Sequence, residues 1–152
     1  MCLQINVNGQ LDVGTRLGFH SRLVGTITSA IDRAPCSSKF VLPAKLDAIL
    51  DAIVGETIDY LSGQIAAGAE AVQLFDSWSG SLAPDEFERL VIGPNARIVA
   101  ALRERHPDTP VIGFPKGAGE KLPAYARETG VQAVGVDETI DPEWAAWELP
   151  AG

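Results

Sequence analysis

The stretch Ala71-Val72-Gln73-Leu74-Phe75-Asp76-Ser77 decides how this chain is read. A short, mostly apolar run without strict alternation is what a strand buried on both faces looks like. Here it runs straight into an acid and a hydroxyl. The spacing predicts a strand whose carboxyl end opens onto a polar loop.

Outward from that strand the pattern repeats. Upstream, Leu46, Ile49, Leu50, Ile53, Val54, Ile58, Leu61 and Ile65 recur at helical spacing. Pro43 suits the first turn and Gly68 the C-terminal stop, which predicts a helix from Pro43 to Ala67. Downstream, Pro84 to Arg105 reads as helix, with Asp85, Glu86 and Glu88 at its start and Arg103 and Arg105 at its end, as the helix dipole favours. Gly93-Pro94 predicts a break or kink midway. Val111 to Phe114, between Pro110 and Pro115, reads as a second strand. Lys121 to Thr129 is a short helix closed by Gly130, and Val131 to Val136 a third strand ending at Asp137. Asp141-Pro142 then caps and opens a last helix through Trp144 and Trp147, whose spacing reads as a packing stripe.

Helix followed by three strand-helix units predicts an α/β fold with a parallel sheet and right-handed crossovers. A doubly wound sheet and a (β/α)8 barrel both fit. The dinucleotide-binding GxGxxG turn is absent. A whole barrel takes ~250 residues, so 152 residues with three clear strands would supply less than half of one. Before Pro43 the periodicity is weak, and Val24 to Ile31 reads equally as strand or short helix. Residues 1–45 are therefore set apart as a divergent N-terminal segment, and 46–152 as the partial barrel domain.

Composition narrows the function. Hydrophobic residues make up 46% and charged residues 21%, the balance of a soluble globular domain. A net charge of −8 argues against non-specific nucleic-acid binding and against docking on anionic membranes. No apolar run approaches the ~20 residues of a bilayer span, and no secretory signal opens the chain. Cys2 and Cys36 stand far apart with no CxxC spacing, so a reducing cytoplasm is the expected compartment.

In either architecture the active site lies at the carboxyl ends of the strands. Those ends carry Asp76-Ser77-Trp78, Pro115-Lys116-Gly117-Ala118-Gly119 and Asp137-Glu138-Thr139. Asp76, Ser77, Lys116 and Asp137 are thus the candidate site residues. Each has a second reading: Asp76, Ser77 and Asp137 as turn residues, Lys116 as a solvated cation. Gly117 and Gly119 offer backbone amides to an anion. His20 and His106 have no partner at metal or triad spacing, and His106 reads as a surface residue.

The string Glu70-Ala71-Val72-Gln73-Leu74-Phe75-Asp76-Ser77-Trp78-Ser79-Gly80-Ser81-Leu82 resembles the signature of the uroporphyrinogen decarboxylase family. Thr57-Ile58-Asp59-Tyr60-Leu61 and Gln64 to Ala69 are similar to the helix before that strand. Pro110 to Gly117 and Val134-Gly135-Val136-Asp137 are similar to the next two strand ends. The resemblance runs from Leu46 to Leu149.

It implies a partial (β/α)8 TIM barrel from a cytoplasmic homodimeric enzyme of tetrapyrrole and haem biosynthesis. That carboxy-lyase converts uroporphyrinogen III to coproporphyrinogen III by releasing four acetate carboxylates as CO2, with no cofactor and no metal. The substrate carries eight carboxylates, so the cleft must supply cations and donors. Ser77 matches the family's substrate-contacting hydroxyl after the strand end. The family's RQAGRY arginines and its pyrrole-contacting aspartate have no match. Its tyrosine finds no counterpart near Arg22 to Thr26, and its C-terminal histidine would fall beyond Gly152. The chain is accordingly expected to be incomplete and inactive alone. The competing readings are a related barrel methyltransferase acting on corrinoid or thiol substrates, which would need zinc ligands, and a non-catalytic remnant or interaction domain.

Overall fold

The computed structural model describes residues 3–6 and 43–150, the backbone alone for 3–6 and 43–45. The expectations for Val24 to Ile31, His20, Cys2 and Cys36 fall outside the described residues.

Helix α1 (Pro43–Ala66) turns its apolar stripe inward. Leu50, Val54 and Leu61 are buried and the other stripe residues half-buried. It ends where Gly68 takes a φ of +102° and donates its N–H to the Ile65 carbonyl. Strand β2 (Val72–Asp76) follows, numbered after a short strand β1 (Leu3–Asn6) near the start of the chain. Next come α2 (Pro84–Phe87), a π-helical turn (Glu88–Ile92) and α3 (Gly93–Arg105). Strand β3 (Val111–Pro115), helix α4 (Leu122–Thr129), strand β4 (Ala133–Val134) and helix α5 (Pro142–Glu148) complete the order.

Strands β2, β3 and β4 are parallel and adjacent in sequence order, with Val72 opposite Val111, Asp76 opposite Pro115, and Ile112 opposite Ala133. Val72, Leu74 and Val111 share one face, which packs on Val54 and Leu61 of α1 and on Ile98, Val99 and Leu102 of α3. Gly113 on that same face meets Tyr125 of α4. Sequential strands with the helices on one face are singly wound; a doubly wound sheet reverses its order and covers both faces. The architecture is that of a segment of a (β/α)8 barrel, with the sheet left open. The opposite face carries Gln73, Phe75, Ile112 and Phe114, all half-buried, with the Phe75 and Phe114 rings 4.6 Å apart.

Helices α1 and α3 lie side by side and parallel. Three ion pairs ladder from α1 to the π turn and α3: Asp47–Arg89 and Asp51–Arg97 at 2.7 Å, and Asp59–Arg105 at 3.1 Å.

The structure departs from the sequence reading in four places, the first being the third strand, which spans Ala133–Val134 and not Val131–Val136. Strand β1 pairs antiparallel with β2, Leu3 opposite Asp76 and Asn6 opposite Gln73. An antiparallel strand satisfies an edge without the crossover helix that a parallel one requires. At Gly93-Pro94 the α-helix is interrupted, as expected, and the interruption is a π turn. The π turn steps the hydrogen bonding so that Gly93 N–H reaches the Glu88 carbonyl, and Pro94 sits in the first turn of α3, where its missing donor costs little. Trp147 is 88% exposed, so the two tryptophans are not a packing stripe; Ala145 is the buried residue of α5. His106 is half-buried with Nε2 shielded from water, not a surface residue.

Candidate functional site at the strand ends

Because β2 and β3 run in register, their carboxyl ends finish side by side, and the loops leaving them are tied together. Lys116 N–H donates to the Asp76 carbonyl at 2.9 Å, and Gly80 N–H donates to the Lys116 carbonyl at 3.1 Å. The buried Ser79 hydroxyl lies 3.3 Å from both carbonyls. The approach is so close that a Cβ on Gly80 would stand 2.4 Å from the Gly117 carbonyl oxygen. The third loop joins through Asp137, whose Oδ2 accepts the Gly117 N–H at 2.6 Å. The four candidate residues therefore gather at one pole of the sheet.

Their side chains do different work. Asp76 is buried, on the helix-facing side of β2, and its Oδ1 accepts the Trp78 N–H at 3.1 Å. Ser77 is half-buried and Trp78 is 66% exposed. Lys116 is exposed, with Glu138 Oε1 3.9 Å from its ammonium, a separation that holds it only loosely. Asp137 accepts from the Thr139 hydroxyl and, at 2.8 Å, the Thr139 N–H. The Thr139 hydroxyl and the Gly117 and Thr139 amides hold its carboxyl below the usual carboxylate range, with Lys116 adding to the effect. The Gly117 amide is thus taken by Asp137 and not offered to an anion.

Two features escaped the sequence reading. Lys121, in the turn before α4, reaches back across the loops: Nζ donates to the Gly80 carbonyl at 3.0 Å and the Leu82 carbonyl at 2.8 Å. It also lies 4.9 Å from the centroid of the Phe87 ring. Below the loops, the fully buried Tyr125 hydroxyl accepts from Asn95 Nδ2 at 3.1 Å. Burial pushes that phenol far above the usual tyrosine range, with the Asp76 charge adding to the rise and the Asn95 bond opposing it.

A hollow of about 390 Å³ adjoins this pole between Gly119, Glu120, Thr139, Ile140, Asp141 and Trp144. A larger one, about 690 Å³, lies along β4 toward its amino end, near Arg103, Gly130 and Val131. The larger hollow is away from the strand ends that carry the candidate residues.

The family described as "Uroporphyrinogen decarboxylase (URO-D)" matches residues 38–151. A protein named uroporphyrinogen decarboxylase from Novosphingobium aromaticivorans is 74% identical over 109 residues, which is 72% of this chain and 32% of that protein. One from Erythrobacter litoralis is 64% identical over 120 residues, 79% of this chain and 35% of that protein. One from Paracoccus denitrificans is 47% identical over 119 residues, 78% and 35% respectively. The chain spans about a third of the length of the curated relatives it matches.

Proposed function

Because the chain belongs to the uroporphyrinogen decarboxylase family, we propose that its strand ends are part of a tetrapyrrole-carboxylate binding mouth. The observation that carries this reading is the tying of three consecutive parallel strand ends into one surface that leaves Ser77 and Lys116 accessible. A hydroxyl and a loosely held ammonium on one surface suit a carboxylate: one donates a hydrogen bond, the other neutralises charge. Asp76 and Asp137 act here by shaping the loops, since their carboxylates already accept backbone amides.

The reaction is the loss of acetate carboxylates from uroporphyrinogen as CO2, in tetrapyrrole synthesis. It proceeds in the cytoplasm, in a homodimer, and needs no cofactor from these residues. Each decarboxylation places charge on a pyrrole, which needs an acid and a carboxylate beside the ring nitrogens. Residues 46–152 are the barrel part in this reading, and from the divergent segment 1–45 Leu3–Asn6 adds a strand to its sheet. On its own the chain binds the substrate's carboxylates without turning it over.

Titration of the purified chain with uroporphyrinogen III, kept reduced, tests this. Ser77→Ala and Lys116→Ala each weaken binding about tenfold, the worth of one charge-assisted hydrogen bond. Unchanged affinity in both variants overturns the assignment. Coproporphyrinogen formed by the chain alone overturns the expected inactivity.

A further inference from the structure

We propose that Lys121 is a positioning residue that clamps the β2 loop and so sets where Ser77 stands; this rests on the strand-end reading above. The loop from Ser77 to Leu82 is tied to the β3 loop in its middle, by Ser79 and Gly80, and its carbonyls at Gly80 and Leu82 are left to the Lys121 ammonium. Its short 3-10 turn, Ser79–Ser81, has no side-chain cap, and Trp78 just before it is two-thirds exposed. The Lys121 ammonium bridges two carbonyls of that loop, Gly80 and Leu82, at 3.0 and 2.8 Å. Its third interaction, with the face of Phe87, anchors the same ammonium to a ring that is itself buried. One cation therefore joins the loop after β2, the turn after β3 and helix α2. The clamp sits at the far end of the loop from Ser77, so it acts on substrate only through the loop. Lys116 faces the same pole but donates no side-chain hydrogen bond to protein among the described residues. The two lysines divide the work, one toward ligand and one toward scaffold.

The experiment uses the full chain with Trp144→Phe and Trp147→Phe, so that Trp78 alone of the three tryptophans reports. Lys121→Met raises the acrylamide quenching of Trp78 and lowers its fluorescence anisotropy, and it weakens uroporphyrinogen binding about tenfold. Lys121→Arg keeps a cation with forked donors and restores both readouts. Wild-type quenching and anisotropy in Lys121→Met overturn the clamp, as does failure of Lys121→Arg to rescue. A Trp78 response in a chain whose wild type binds no tetrapyrrole leaves the clamp standing and removes the substrate reading. Should Lys121→Met not fold, reductive methylation of the unaltered chain decides. Lys121 is modified several-fold more slowly than Lys116 if its ammonium is bonded as described, and equal rates overturn the proposal.

Discussion

Gly113 and Tyr125 share a space that admits no further atom. A Cβ built on Gly113, in the middle of β3, would lie 2.4 Å from Tyr125 Cε1 and 2.6 Å from its hydroxyl. The ring cannot retreat, since Tyr125 is fully buried, sits edge-on to Phe87 at 6.4 Å and is bonded to Asn95. Gly113→Ala therefore overpacks the joint between sheet and helix layer. It lowers unfolding free energy by about 1–3 kcal/mol, read from urea denaturation of the two chains.

Tyr125→Phe keeps the ring and removes one hydrogen-bond partner. The Asn95 amide, 4% exposed, then loses the phenol oxygen as its acceptor. The expected loss is about 1–3 kcal/mol, because a stranded buried donor costs its full desolvation. In the double variant Tyr125→Phe/Asn95→Ala the losses are less than additive, which a double-mutant cycle measures.

Gly55 and Gly63 face solvent inside α1, and a methyl group at either position would meet nothing within 4 Å. Replacing Gly55 with Ala raises stability by about 0.5–1 kcal/mol through helix propensity alone. A rise in the denaturation midpoint with an unchanged slope checks it.

Asp137 gives the loops a pH dependence whose sign is fixed. Its folded carboxyl lies below its unfolded value of 3.8. Its contribution is thus fully present above that value and is lost as pH falls through the lower folded one. In Asp137→Ala the stability lost between neutral pH and about pH 3 is smaller than in the unaltered chain. Paired thermal melts across that range test it. The side chain is solvent-facing, so the difference is modest.

The three ion pairs between α1 and the α3 region are all close to half-exposed or more. Arg97→Ala costs less than about 1 kcal/mol, and roughly 0.5 M salt erases much of the difference. A salt-independent loss would instead point to lost packing of the arginine stem.

Legibility in the sequence followed range. The α1 stripe, the apolar runs of β2 and β3, and the Asp141 cap were readable because their signals are local. Asp141 Oδ1 does accept the Glu143 and Trp144 amides, at 2.7 and 3.1 Å. So was the gathering of Asp76, Ser77, Lys116 and Asp137, since parallel strands must end at a common pole. The readings that failed depended on partners distant in sequence. Nothing near Lys121 announces carbonyls some forty residues earlier. The Gly93-Pro94 dipeptide announced an interruption of the helix but not that a π turn would carry it. Strand β1 spans four residues, too short to show a period.

That reversed strand gives the sheet a direction of growth. Antiparallel Leu3–Asn6 occupies one flank of β2, so a parallel neighbour there must first evict it. On the other side, β4 is paired with β3 on a single flank among the described residues. Among the described residues the open border of the sheet is therefore Ala133–Val134, the flank with which a further strand can pair unopposed.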